Sequence, residues 1–331
     1  MLAKSSPLAG LFSRLGSAGI PSSFARKVLP SWWDDEVAKE PAGLQQAQLY
    51  FSRAFNIDLQ SLADRTAEPR FRASVKKFKL SQNVSEGEVS VGANYATGIA
   101  KLALSGVDSK QKALPKDPLK LRQQILQTHE CVSLAGLLDW CVSAAIPVLH
   151  VEKLPGKKMT GLVVRDSDRF AIVLSKNGHP AFLLFHLAHE LAHIAKGHLT
   201  ADGFVADEKI RGADSSDADE KEADAYAIRL INGKDVAYHA AGRITSGPAL
   251  CSAAIARGAE QKIDPGHIIL NFAHNQRQFP LANLALQSLP GPSDGREVVN
   301  SVFFASLSSD ALSDDQFDLL KAATGHSTAL A

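Results

Sequence analysis

The chain has 331 residues, with 45% hydrophobic and 21% charged. That balance excludes a disordered polar chain and suits one or two folded domains. Thirty-six basic against 35 acidic residues leave a net charge of +1, so no large acidic or basic partner is implied by the whole-chain balance.

Apolar positions at helical spacing, Leu11, Phe12 and Leu15 and then Phe24, Val28 and Leu29, predict two short helices across a Gly/Pro break, the second ended by Pro30. Leu44, Ala47, Leu49, Phe51 and Ala54 predict a third helix over 43–55. A helical module thus fills residues 1–65, similar to a degenerate helix–turn–helix domain. The basic string RTAEPRFRASVKKFK gathers Arg65, Arg70, Arg72, Lys76, Lys77 and Lys79. It reads first as a solvated or interdomain face and second as a weak indication of DNA contact. In the connecting region, 66–118, NVSEGEVSVG suggests a short strand and ATGIAKLALSG a short helix.

From Leu119 the spacing of Leu121, Ile125, His129, Val132, Leu134, Leu137 and Leu138 predicts one long buried helix. The period then changes: 146–151 reads as a strand, and 161–164 and 170–175 as a hairpin across RDSDR. If Phe170–Ser175 lies at a sheet edge, an extended substrate could pair with it. FLLFHLAHELAHIAKGHL opens a buried helix, a polar run over 201–219 reads as a surface or cleft-edge loop, and Glu220–Leu230 reads as the next helix. Helices over 247–259 and 265–274 follow. The last 45 residues hold VVNSVFFASL, a strand or short helix, and a final helix that Ser313 caps with Gln316 at the box position. The expected fold class is α+β: a mainly helical core with a small sheet over 119–280, the helical module before it, and an extension over 281–331.

Chemistry concentrates in His189-Glu190-Leu191-Ala192-His193. Residues four apart share a helix face, so His189 and His193 can direct both imidazoles to one ion, and neutral imidazole suits Zn2+. Glu190 projects near that face, where it can take a proton from activated water and return it to the leaving amine. The helix around them is apolar, and burying two histidines and a glutamate together without a metal is costly. A catalytic zinc site needs a third protein ligand. Glu220 is the leading choice, with Asp224 one turn on to fix a ligand imidazole. Glu222, His198 and an aspartate of the preceding loop are the other options. His198, Tyr226 and His274 are candidate transition-state or substrate contacts. Acid should release the metal as His189 and His193 take up protons.

Cys131, Cys141 and Cys251 form no C-x-x-C pair and read as buried free thiols of a reducing compartment. The N-terminus lacks a secretory core, and no stretch is apolar enough to span a membrane, so the cytoplasm is the expected location.

The strings FHLAHELAHIAKGHL and EKEADAYAIRL, with IPVLHV and FAIVLS before them and IDPGHIILNFAHN after, resemble the ImmA/IrrE-type zinc metallopeptidases over residues 120–280. In that family an H-E-x-x-H helix is followed by E-x-x-A-[ND]-x-[FY]-A. The resemblance implies His189, His193 and Glu220 as ligands, Glu190 as general base, Asp224 at the Asn/Asp position, and His274 at the end of the later stretch. It implies a zincin-like fold, one zinc, and cleavage of a regulatory protein such as a repressor or antitoxin. Leu230-Ile231-Asn232 stands where the family has Leu-Met-Pro, which implies a different cleft wall there. The alternative reading is a zinc-containing regulatory or antitoxin-like interaction protein with little catalysis. Neither reading sets an oligomeric state.

Overall fold

The computed structural model describes residues 7–72, 75–79, 86–156, 159–199, 201–207, 218–239, 244–308 and 310–326. α1 (Pro7–Ser17) buries Leu8, Leu11, Phe12 and Leu15 along one stripe. Gly19, at φ 84°, turns the chain into α2 (Ser22–Ala25), as the Gly/Pro break predicts. α3 (Pro41–Ala54) opens on a proline, whose missing N–H has no partner at a helix start, and α4 (Leu59–Ala63) is capped by Asp58. β1 (Val75–Lys79) follows. Of the basic string, Arg65, Arg70 and Arg72 are exposed, and the lysine side chains lie outside the described residues.

α5 (Glu86–Ser105) replaces the expected strand and short helix with a single helix of 20 residues. Alternation over so few positions fits either period, and the small face of Ala93, Ala96, Ala100 and Ala103 decides for the helix. At Gly98 a Cβ would overlap the carbonyls of Arg53 and Ala54, so glycine is what lets α5 close on α3.

The single helix expected from Leu119 is two: α6 (Pro118–Ile125) and α7 (Leu134–Ser143). Asp117 caps the first, and Ser133 caps the second by accepting from the Gly136 N–H. A cap inside an apolar run starts a new helix while leaving the spacing of apolar residues unbroken.

β2 (Val148–His150), β3 (Gly161–Asp166) and β4 (Arg169–Leu174) come next, with β3 and β4 forming the expected hairpin. α8 (Pro180–Lys196) carries the histidine motif. β5 (Gly203–Asp207) is a strand inside the run expected to be a loop, whose residues 208–217 lie outside the described residues. α9 (Ala218–Asn232), α10 (Gly247–Gln261), α11 (Pro265–Gln276) and α12 (Phe279–Gln287) follow. VVNSVFFASL resolves as a helix, α13 (Gly295–Ser306), and α14 (Asp314–Thr324) starts on the Ser313–Gln316 capping box.

The five strands form one mixed sheet in the order β1-β5-β3-β4-β2. β4 is therefore interior, between β3 and β2, and the edge position considered for Phe170–Ser175 is corrected: Val148–His150 pairs in parallel with Ile172–Leu174. Successive residues of a strand face opposite ways. Leu162, Val164, Ala171, Val173 and Phe204 join one core with α1, α3, α5 and α14, while Val163, Ile172, Leu174 and Val205 join a second core with α7, α8 and α9. Helices on both faces explain why these strands are apolar throughout. A third core joins α10, α11 and α12 to the start of α8 through Ala181. The C-terminal segment completes the layers: the Asn300 side chain bonds both the N–H (2.8 Å) and the carbonyl (3.0 Å) of His150. Among the described residues, no helix is long and apolar enough to cross a membrane.

Candidate metal centre

α8 begins at Pro180, where His179 Nδ1 accepts from the Ala181 N–H at 3.2 Å, and ends at Gly197 in the left-handed region. Leu183, Leu184, Leu187, Ala188, Leu191, Ala192 and Ala195 seal it between the sheet and α9. Within that apolar helix His189, Glu190 and His193 are each 0% exposed. Groups of this kind need compensating partners when removed from water.

α9 supplies them. Glu220 and Asp224, one turn apart, are both buried. His189 Nε2 and His193 Nε2 lie 3.1 Å apart, and the Glu220 carboxylate oxygens lie 3.4 Å from the first and 3.5 Å from the second. Ligands about 2.0–2.2 Å from a tetrahedral zinc ion stand about 3.3–3.5 Å from one another. The three separations fall close to that span. Among the described residues, His189, His193 and Glu220 form the group whose ligand atoms all lie within 4.8 Å of each other.

Protonation agrees with this chemistry. Asp224 Oδ1 lies 2.9 Å from His189 Nδ1, and a carboxylate accepts, so Nδ1 carries the proton and Nε2 offers a lone pair. Two imidazole nitrogens and a carboxylate then converge as electron donors, an arrangement that a divalent cation stabilises.

Glu190 packs against the sheet. A Cβ on Gly161 of β3 would overlap the Glu190 carboxylate, so the missing side chain makes the space the carboxylate fills. Sequence reasoning passed over Gly161. An isolated glycine in a strand is the signal that marks such a close approach.

His198 sits where helix geometry alone does not put it. Its Nδ1 is 2.8 Å from His193 Nδ1, and its Nε2 is 3.2 Å from Glu222 Oε2. Burial, and then the neighbouring His193, push the His198 pKa down, while the hydrogen bond from His198, and then that from Lys196, lowers that of Glu222. Glu222, weighed as an alternative ligand, thus holds His198 and Lys196. The Tyr226 hydroxyl donates to the Pro115 carbonyl at 2.8 Å, and His274 is exposed on α11, while the triad is buried. The Phe185 ring stands 6.4 Å from the His189 ring and stacks at 6.4 Å on His267, a buried histidine outside the H-E-x-x-H motif.

The chain matches no family model, no curated protein and no solved structure. Fold and site together define a class: a mostly helical α+β protein with a small sheet and an H-E-x-x-H motif on a buried helix, as in a zincin-like metallopeptidase core.

Proposed function

We propose that this chain is a zinc-dependent endopeptidase of the ImmA/IrrE type that cleaves a regulatory protein, a transcriptional repressor or an antitoxin. The observation that carries the reading is the convergence of His189 and His193 of α8 with Glu220 of α9 at 3.1–3.5 Å, with Glu190 between the two histidines on the buried α8. Zinc held by these three residues would supply Lewis-acid chemistry, acidifying water and polarising a carbonyl.

The chain's own residues do the rest. Glu190 accepts the proton of the attacking water on its carboxylate and passes it to the leaving amine. Asp224 keeps the His189 imidazole in the ligating form through the 2.9 Å bond. The apolar walls of α8 and the sheet exclude bulk water, which strengthens each electrostatic contact. A regulatory protein as substrate rests on the resemblance of the α8 and α9 strings to the family.

The test is the metal content of the purified chain and of Glu190→Gln, each incubated with a panel of repressor and antitoxin proteins. One zinc in both, with cleavage by the unsubstituted chain alone, is the expected result. A folded chain without metal overturns the site. One zinc in both and no cleavage by either favours the interaction-protein reading.

A further inference from the structure

We propose that His198, backed by Glu222, is a positioning residue of this centre: it fixes His193 as the tautomer protonated on Nδ1, leaving Nε2 to face His189 and Glu220 with a lone pair. The inference rests on the metal reading above and deepens it.

The backbone brings His198 into place. A continued helix would carry it about 140° around the axis from His193. Gly197 instead adopts φ 73°, and the His198 N–H bonds back to the His193 carbonyl at 3.0 Å. The turn folds the His198 ring onto the outer edge of the His193 ring, the centroids 4.9 Å apart.

The hydrogen bonds then settle the protons. Two Nδ1 atoms 2.8 Å apart share one proton, since two lone pairs or two N–H groups would repel. Glu222 decides which ring gives it. Its carboxylate, held by Lys196 at 3.2 Å, accepts from His198 Nε2 at 3.2 Å, and Asp219 stands second at 3.8 Å. His198 therefore carries its proton on Nε2 and accepts on Nδ1, and His193 donates from Nδ1. The result for His193 matches what Asp224 achieves for His189 in one step. The two ligand imidazoles are oriented by different devices, a carboxylate alone and a carboxylate acting through a second imidazole.

The test uses the full chain with 15N-labelled histidine. Long-range proton–nitrogen correlation reads each tautomer, and chelator competition gives zinc affinity for the unsubstituted chain, His198→Leu, His198→Asn and Glu222→Gln. Expected are Nδ1–H on His193, Nε2–H on His198, and zinc binding weakened about 10- to 100-fold in His198→Leu. His198→Asn, whose side-chain oxygen can accept where Nδ1 did, should recover most of that loss, and Glu222→Gln should lose less than His198→Leu. Unchanged affinity in His198→Leu, or a His193 proton on Nε2, overturns the proposal. Should His198→Leu fail to fold, the half-exposed Glu222 serves instead: Glu222→Leu must move the His198 proton toward Nδ1, and an unmoved proton counts against the relay. A chain that takes up no zinc yet holds His193 as Nδ1–H overturns the metal reading and leaves the tautomer assignment standing.

Discussion

Gly161 and Glu190 are fitted to each other across the contact between β3 and α8: the volume in which a Cβ of residue 161 would lie is filled by the Glu190 carboxylate. The atoms in conflict belong to the end of a flexible side chain, so Gly161→Ala should move the carboxylate and leave the fold intact. The triad lies on other contacts, between α8 and α9, and should still take up one zinc. Displacing a catalytic group by about 1 Å can cost on the order of 10²-fold in rate. The expected outcome is a folded, zinc-loaded protein with turnover down by about that factor, checked by metal analysis beside cleavage kinetics. Loss of zinc together with activity would show that Gly161 supports the whole site instead.

Removing a ligand should act in the opposite way. Glu220 lies 3.4 and 3.5 Å from the two imidazoles and is buried with them. A metal that binds the folded state alone stabilises it by about 2.7 kcal/mol at a free concentration near one hundred times its Kd. Thermal denaturation of the unsubstituted chain should therefore shift upward with added zinc and downward with a strong chelator. In Glu220→Ala both shifts should vanish, while Glu190→Gln keeps them. Equal shifts in Glu220→Ala and the unsubstituted chain would remove Glu220 from the ligand set.

The parts of this site that were legible in the sequence are those set by a single helix. His189 with His193, and Glu220 with Asp224, share faces because of a four-residue spacing, whatever the tertiary structure. His198 escaped that logic because Gly197 breaks the helix, and periodicity is silent about where the chain goes after a left-handed turn. Gly161 escaped it because its role depends on a contact between β3 and α8. The same division runs through the fold. The β3–β4 hairpin is local and was legible, whereas β5 was not, since a five-residue strand in a polar run is defined by its pairing with β1 and β3. The split between α6 and α7 was signalled by Ser133, a capping residue masked by the unbroken apolar spacing around it.

His267 should give the protein an acid sensitivity separate from that of the proposed metal ligands. It is stacked on Phe185 with the rings 17° from parallel, and burial pushes its pKa down to about 4. The folded state thus keeps it neutral, while the unfolded chain protonates it near the ordinary value of about 6.5. Between those values the unfolded state binds more protons, so stability is complete above about 6.5 and is lost as pH falls toward 4, at up to about 1.4 kcal/mol per pH unit. Urea denaturation of the metal-free protein at several pH values should show a shallower decline in His267→Phe than in the unsubstituted chain. Parallel declines would mean that His267 titrates normally.

The far end of α9 is held by a buried cation that has no carboxylate partner among the described residues. Arg122, 7% exposed, donates to the carbonyls of Leu230 and Ile231 at the end of α9 and to those of Gln261 and Lys262 at the end of α10. These carbonyls belong to helix C-termini, where a positive charge meets the negative end of the helix dipole. Arg122→Leu removes every donor at once and leaves buried acceptors unmet, a cost on the order of 3 kcal/mol. Arg122→Lys should recover less than half of it, because one ammonium cannot span both carbonyl pairs as the planar guanidinium does. Glu220 lies about three turns away on the same helix, so zinc affinity of the folded fraction should stay near that of the unsubstituted chain. Urea denaturation beside zinc titration separates the two effects, and a Lys variant as stable as the unsubstituted chain would show that charge alone, rather than the fork of donors, fastens α9.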